Sequence, residues 1–158
     1  MIIEKICNEN RASVNEFFAT HWGGNQMVIS TGVYDCSLLE GFVCFGVNRE
    51  LLGLITYNIN EKECEIISLD SIQEKKGIGS RLLSEVETTA KKIKLKKVTL
   101  ITTNDNLHAL NFYQKRGYQC IEVRNNAVEK ARNIKPTIPL IASNGIPIRD
   151  EFILMKCI

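Results

Sequence analysis

Between Phe42 and Leu69 the apolar residues gather in three β-rich runs, Phe42–Val47, Glu50–Ile59 and Glu63–Leu69. Only Asn48-Arg49 and Asn60-Glu61-Lys62 separate them. Polar joints this short return one strand alongside the last, so this stretch predicts an antiparallel meander. Past Asp70 the period changes. Ile78, Leu82, Leu83, Val86, Ala90 and Ile93 recur at helical spacing and share one face of a helix starting near Gly77. Lys97–Thr103 reads as a buried strand. Asn104-Asp105-Asn106 can cap a second helix that runs to about Arg116 and stops at Gly117. Tyr118–Arg124 is another strand, and Ala127–Asn133 has room for one or two helical turns. Pro136, Pro139 and Pro147 break up the long connection that follows, in which Asn144-Gly145 is a turn signal within an edge hairpin. Glu151–Ile158 closes the chain as a strand.

The N-terminal part is weaker in pattern. Ile2–Cys7 reads as a strand, and Asn10 as the cap of a helix that carries Val14, Phe17 and Phe18 and ends near Trp22-Gly23-Gly24. Gln26–Ser30 is a short extended piece, and Thr31–Gly41 is expected to be irregular. An antiparallel meander followed by strand, helix, strand, helix and strand predicts an α/β (α+β) fold with a mixed, mostly antiparallel central sheet and flanking helices. The unit Glu63–Leu69, helix, Lys97–Thr103 should form a right-handed parallel crossover, and ligands tend to lie at the carboxyl ends of such strands. No linker or repeat divides the chain, so residues 1–158 are expected to form a single domain. At this length about 70% of the unfolded surface is buried, enough for a core without staples.

Charge and cysteine content narrow the function classes. Lys and Arg number 20 against 18 for Asp and Glu, which argues against a nucleic-acid binder with a basic face. The six cysteines show no C-x-x-C spacing, so neither a metal site nor a disulfide framework is expected. They are expected to be mostly buried thiols in a reducing, cytoplasmic setting. Neither a signal peptide nor a membrane span is apparent.

The chemistry starts at Lys75-Lys76-Gly77-Ile78-Gly79-Ser80. A dinucleotide fingerprint would need Gly or Ala where Leu82 stands, and a Walker loop would need its lysine after the glycines. What remains is a helix N-terminus with two residues lacking Cβ, which a diphosphate can approach closely, with Lys75 and Lys76 adding charge. A strand-to-helix turn using glycine only for its dihedral freedom has the same sequence. The discriminating motif lies downstream. Asn106-Leu107-His108-Ala109-Leu110-Asn111-Phe112-Tyr113-Gln114-Lys115-Arg116-Gly117-Tyr118 has the form N-x-x-A-x-x-F-Y-x-x-x-G-Y.

Together the two motifs resemble the GNAT superfamily of acetyl-CoA-dependent N-acetyltransferases, over Phe42–Tyr118. Leu69-Asp70-Ser71 and Asn144–Glu151 are similar to segments of an uncharacterised bacterial branch. The resemblance implies an acetyl-CoA cosubstrate, a primary amine acceptor, and a splayed gap between Glu63–Leu69 and Lys97–Thr103. It implies that pantetheine pairs with backbone near Ile67 and Leu69, and that Asn106, Ala109 and Tyr113 belong to the cofactor site. Glu74 departs from the family's Arg or Gln at that place, so Gln73, Lys75 or Lys76 is expected to supply the polar contact.

Acyl transfer to an amine also needs a proton acceptor and a proton donor. Tyr113 holds the family's tyrosine place and is the candidate general acid, since a phenol stays protonated at neutral pH. By position alone it reads as a core aromatic beside Phe112, and it is the resemblance that gives it the general-acid role. Glu65 is the candidate base, with Asp70, Asp150 and Glu151 as alternatives. Strand alternation places Glu63, Glu65 and Ile67 on one face, and Cys64, Ile66 and Ser68 on the other. Glu65 is then either part of the site or a solvent-facing residue. His21 and Trp22 are candidate acceptor contacts, because the family builds its acceptor pocket after the first helix, and Asp70 is a third candidate contact. Tyr34 and Phe42 can line it too. The Pro139–Pro147 excursion is expected to flank the acceptor or to form a homodimer contact.

Overall fold

The computed structural model describes all 158 residues. In chain order it contains β1 (Ile2–Lys5), α1 (Arg11–Trp22), β2 (Gln26–Ile29), β3 (Gly32–Asp35), β4 (Glu40–Phe45), β5 (Leu51–Ile59) and β6 (Cys64–Ser71). There follow α2 (Ile78–Lys92), β7 (Lys97–Thr103), α3 (Leu107–Gln114), β8 (Gln119–Arg124), α4 (Ala127–Ile134) and β9 (Glu151–Cys157). The fold is mixed α/β, with mostly antiparallel strands, one parallel pair and four helices, as the pattern predicts. No helix is long and apolar enough to cross a membrane. The contacts group into two compact units, one of Met1–Met27, Tyr34–Val98 and Ile158, the other of Val28–Val33 and Thr99–Cys157.

In the first unit the strands run in the order β1-β4-β5-β6, each pair antiparallel. The two polar joints give the meander expected of them. Helix α1 buries Val14, Phe17 and Phe18, and Gly23 ends it in the left-handed conformation at φ 67°. Helix α2 buries Ile78, Leu82, Leu83, Val86 and Ala90, each of the larger side chains Ile78, Leu82, Leu83 and Val86 contributing roughly 1.5–3 kcal/mol of transfer free energy. Ile93 breaks the expected stripe. The helix stops at Lys92, one residue short of the turn that would bury it, and Ile93 is half exposed.

Three further expectations are corrected. Asn10 precedes α1 but makes no side-chain cap. Its backbone is helical (φ −110°, ψ 0°), unlike the extended shape a capping side chain needs. Its amide instead accepts from Cys7 N–H at 2.9 Å and donates to Lys5 O at 3.0 Å. The segment expected to be irregular contains β3, which pairs with β2, and the start of β4. Strands of four residues are too short for alternation to stand out from a Ser- and Gly-containing loop. The cysteines divide evenly, with Cys36, Cys44 and Cys64 buried and Cys7, Cys120 and Cys157 exposed.

The second unit has the strand order β7-β9-β8. Strand β8 is an edge, which explains why Cys120 and Ile121 stay exposed within an apolar run. Helix α3 carries the cap the sequence anticipates, with Asn106 Oδ1 accepting from Ala109 N–H at 3.1 Å. The proline-rich excursion is the expected hairpin. Gly145 turns it at φ 86°, and Ala142 N–H and Ile148 N–H donate to Ile146 O and Leu140 O. Arg132 of α4 ties it down through the carbonyls of Ile138, Pro139 and Ile148 at 2.8–3.1 Å. At its far end, Asn104 Oδ1 accepts from Arg149 N–H and Asp150 N–H.

Candidate active site

Strand β6 carries most of the candidate residues in the first unit, and a bulge decides where they point. Thr56 pairs with Ser68 but Tyr57 pairs with Ile66, so Ile67 has no partner on β5. A single extra residue reverses the alternation beyond it. Glu65, Ser68 and Asp70 pair with Asn58, Thr56 and Leu54, which alternate on β5, so all three face the same side of the sheet. The expected alternation therefore fails at Ser68, which lies on the face of Glu65. Glu65 and Asp70 are four β5 steps apart, roughly 13 Å along the strand.

This face is a buried polar stripe. Glu65 is only 4% exposed, which removes the solvent-facing alternative, and Tyr34 OH donates to its Oε2 at 3.3 Å. Thr56 and Ser68 share a buried hydroxyl hydrogen bond of 2.6 Å. Trp22 Nε1–H donates to Asp70 Oδ1 at 3.3 Å, while Asp70 Oδ2 is buried with no hydrogen-bond partner. Burial raises the Asp70 carboxyl above its ordinary range, opposed by the Trp22 hydrogen bond and by the charge of nearby His21. The structure thus brings His21, Trp22 and Asp70 together as one group. His21 stays exposed, its ring 4.4 Å from that of Phe17. Trp22 lies against Phe18. On the opposite face, Cys64 is pushed up to about 12 by burial and by the charges of Glu40, Glu63 and Glu65. It stays a thiol at neutral pH and is not a nucleophile.

Ile67 is the bulged residue itself, 6% exposed, and Leu69 pairs with Ile55. Beyond Ser71 the chain turns into α2 with Lys75 at φ 61° and Gly77 at φ 74°, both left-handed. Glu74, Lys75, Lys76 and Gly77 are exposed. Gly77 O accepts from Arg81 N–H at 3.1 Å, which leaves Ile78 N–H and Gly79 N–H presented at the helix N-terminus beside Ser80. Space is open around Gly77, since a Cβ built there would meet no atom within 4 Å.

In the second unit, Asn106 and Ala109 form the α3 cap. Tyr113 is the one buried residue of that helix, with Phe112 and Tyr118 rings at 5.1 and 5.4 Å. His108 is exposed. Asp150 is held by Arg149 through two 2.9 Å contacts and accepts from Asn126 N–H at 2.8 Å. These bonds, Arg149's first, hold its carboxyl below the usual range. Glu151 is 1% exposed and accepts from Ser30 N–H. Both carboxylates secure backbone. What sequence reasoning missed is the Thr56–Ser68 pair and the donor role of Tyr34. Only the β-branched and hydroxyl-rich composition of β5 and β6 hinted at the former.

The first unit thus holds a buried carboxylate beside a strand bulge and a glycine turn opening a helix, and the second a capped helix carrying a buried tyrosine. Residues 12–118 match the model of the acetyltransferase (GNAT) family, and the chain belongs to that family. It is an acyltransferase. In particular, it is 51% identical over 156 residues to the uncharacterised protein YxbD of Bacillus subtilis, covering 99% of this chain and 98% of that one. Its fold is similar to that of a GNAT family acetyltransferase from Elizabethkingia anophelis solved with acetyl-CoA bound (TM-score 0.67, 20% identity, 99% and 97% of the two chains). A Bacillus subtilis acetyltransferase solved in complex with CoA is equally similar (TM-score 0.67, 19% identity, 99% and 97%).

Proposed function

We propose that residues 1–158 act as one domain that transfers the acetyl group of acetyl-CoA to a primary amine by direct attack. The observation that carries this reading is the left-handed turn at Gly77, which opens α2 with exposed backbone donors beside Lys75 and Lys76. A diphosphate fits there, since helix N-termini attract anions and no Cβ stands in its way. Ser80 belongs to the same first turn. Glu74, in the family's Arg or Gln place, is exposed and can point away from the phosphates, so the backbone supplies most of the contact.

Bound acetyl-CoA supplies a thioester as acyl donor. Backbone of β6 about Ile67 and Leu69 receives the pantetheine arm, since a bulge leaves strand donors without a ladder partner. Asn106 and Ala109 keep the start of α3 in place beside the cofactor. Asp70, with Trp22 and His21, attracts the acceptor amine. Glu65, buried but hydrogen-bonded by Tyr34, takes the proton released when the amine nitrogen bonds to the acetyl carbon. Tyr113 gives its phenolic proton to the departing sulfur.

The test combines acetyl-CoA binding with a screen of primary amines read by product mass. Acetyl-CoA should stabilise the chain by about 2.7 kcal/mol at a hundred times its dissociation constant. Glu65→Gln and Tyr113→Phe should each lower kcat about 100-fold or more while leaving acetyl-CoA binding nearly unchanged. A chain that no acyl-CoA stabilises would refute the reading. The departure at Glu74 favours a second reading, a non-catalytic acyl-CoA binder, which binding without any acetylated product would support.

A further inference from the structure

Within the second unit the hairpin tip Val28–Val33 and α4 border a partly open cavity of about 530 Å³. The acyl-transfer reading makes no use of it. Its volume lies in the range of small-molecule sites. Val28, Val33, Ala131 and Ile134 give it apolar walls, and its polar lining is concentrated at the end of β8 and on α4.

One charge in that lining, Arg124, is held in a fixed place. Arg124 donates through Nε and Nη2 to Glu122 at 2.9 and 3.3 Å, and through Nη1 to Ser30 Oγ. The plane of the guanidinium is therefore fixed at the edge of the cavity, with its Nε/Nη2 side taken by the Glu122 carboxylate and its Nη1/Nη2 end toward Ser30. Lys130 adds a second cation on the α4 wall, and Glu129 is the only acidic residue in the lining. A guanidinium already held in one orientation loses little freedom on engaging a second carboxylate in its own plane.

We propose that this cavity binds a small organic carboxylate, its apolar body against Val28, Val33 and Ala131 and its charged end on Arg124 and Lys130. Binding does not depend on the acyl-transfer reading. The carboxylate belongs to a ligand separate from the acetyl acceptor.

The experiment follows amide NMR signals of the full chain during titration with hexanoate, hexanamide and hexylamine, which share one skeleton. Hexanoate should shift the signals of Ala127, Ala131 and the Val28–Val33 tip, with the amide weaker and the amine without effect. Arg124→Gln should weaken hexanoate about tenfold, and Lys130→Gln, on an exposed stretch of α4 where folding is not at risk, about threefold. The proposal is overturned if hexanoate does not bind, if hexylamine binds as well, or if both substitutions leave the affinity intact.

Discussion

Replacing Gly77 by alanine separates the two jobs the sequence could assign to that glycine, turning the chain and admitting a diphosphate. Gly77 sits at φ 74° and ψ 6° directly before α2. A Cβ there meets nothing within 4 Å, so the penalty is torsional, roughly 1–2 kcal/mol for an L-residue in the left-handed region. Gly53 makes the opposite case. Its Cβ would lie 2.6 Å from Asp70 O, 2.9 Å from Ile78 Cγ2 and 3.3 Å from Ser71 Cα. That clash sets β5 against β6 and α2, at a cost of about 1–3 kcal/mol. Urea unfolding with and without acetyl-CoA distinguishes the two. Gly53→Ala should lower stability in both conditions. Gly77→Ala should also lower the cofactor's increment, because relief of the torsion rotates Ile78 N–H and Gly79 N–H away from the ligand. At the concentration that gives about 2.7 kcal/mol with the native chain, a tenfold weaker site leaves about 1.4 kcal/mol. Gly77→Asn should fall between, since asparagine enters the left-handed region more readily. The reasoning fails if Gly77→Ala matches the native chain in stability and in response to acetyl-CoA.

Leu82→Ala, at a fully buried position of α2, should cost about 2–5 kcal/mol by loss of transfer energy and by cavity formation; calorimetric or urea unfolding checks it. Asp70→Asn should change the pH dependence of stability. The folded Asp70 carboxyl titrates above its unfolded value of 3.8, so between the two the folded chain holds more protons and native stability falls as pH rises. The variant lacks that fall, and the difference should move in its favour from pH 3.8 upward, levelling off above the raised value. Parallel pH profiles for the two chains would contradict the assignment.

Much of the fold was legible because its determinants are local. The meander announced itself through two polar joints, α2 through helical spacing, and α3 through an asparagine three residues before the N–H it caps. The proline-rich excursion was legible for the same reason, through Asn144-Gly145. Ile93 and Asn10 were misread where a helix ended one residue early and where backbone shape redirected a cap.

The site is another matter. Sequence alone determined that a glycine turn opens α2 and that Tyr113 lies on α3, since periodicity and spacing act within a few residues. Only the tertiary structure decided which residues of β6 face together. One unpaired residue, Ile67, leaves no mark on the hydrophobic pattern, yet it turns Ser68 and Asp70 to the side of Glu65. The partners of those carboxylates come from far along the chain, Tyr34 across 31 residues and Trp22 across 48. Such contacts depend on where a short hairpin and a helix end come to rest against a strand, and packing, not local propensity, settles that.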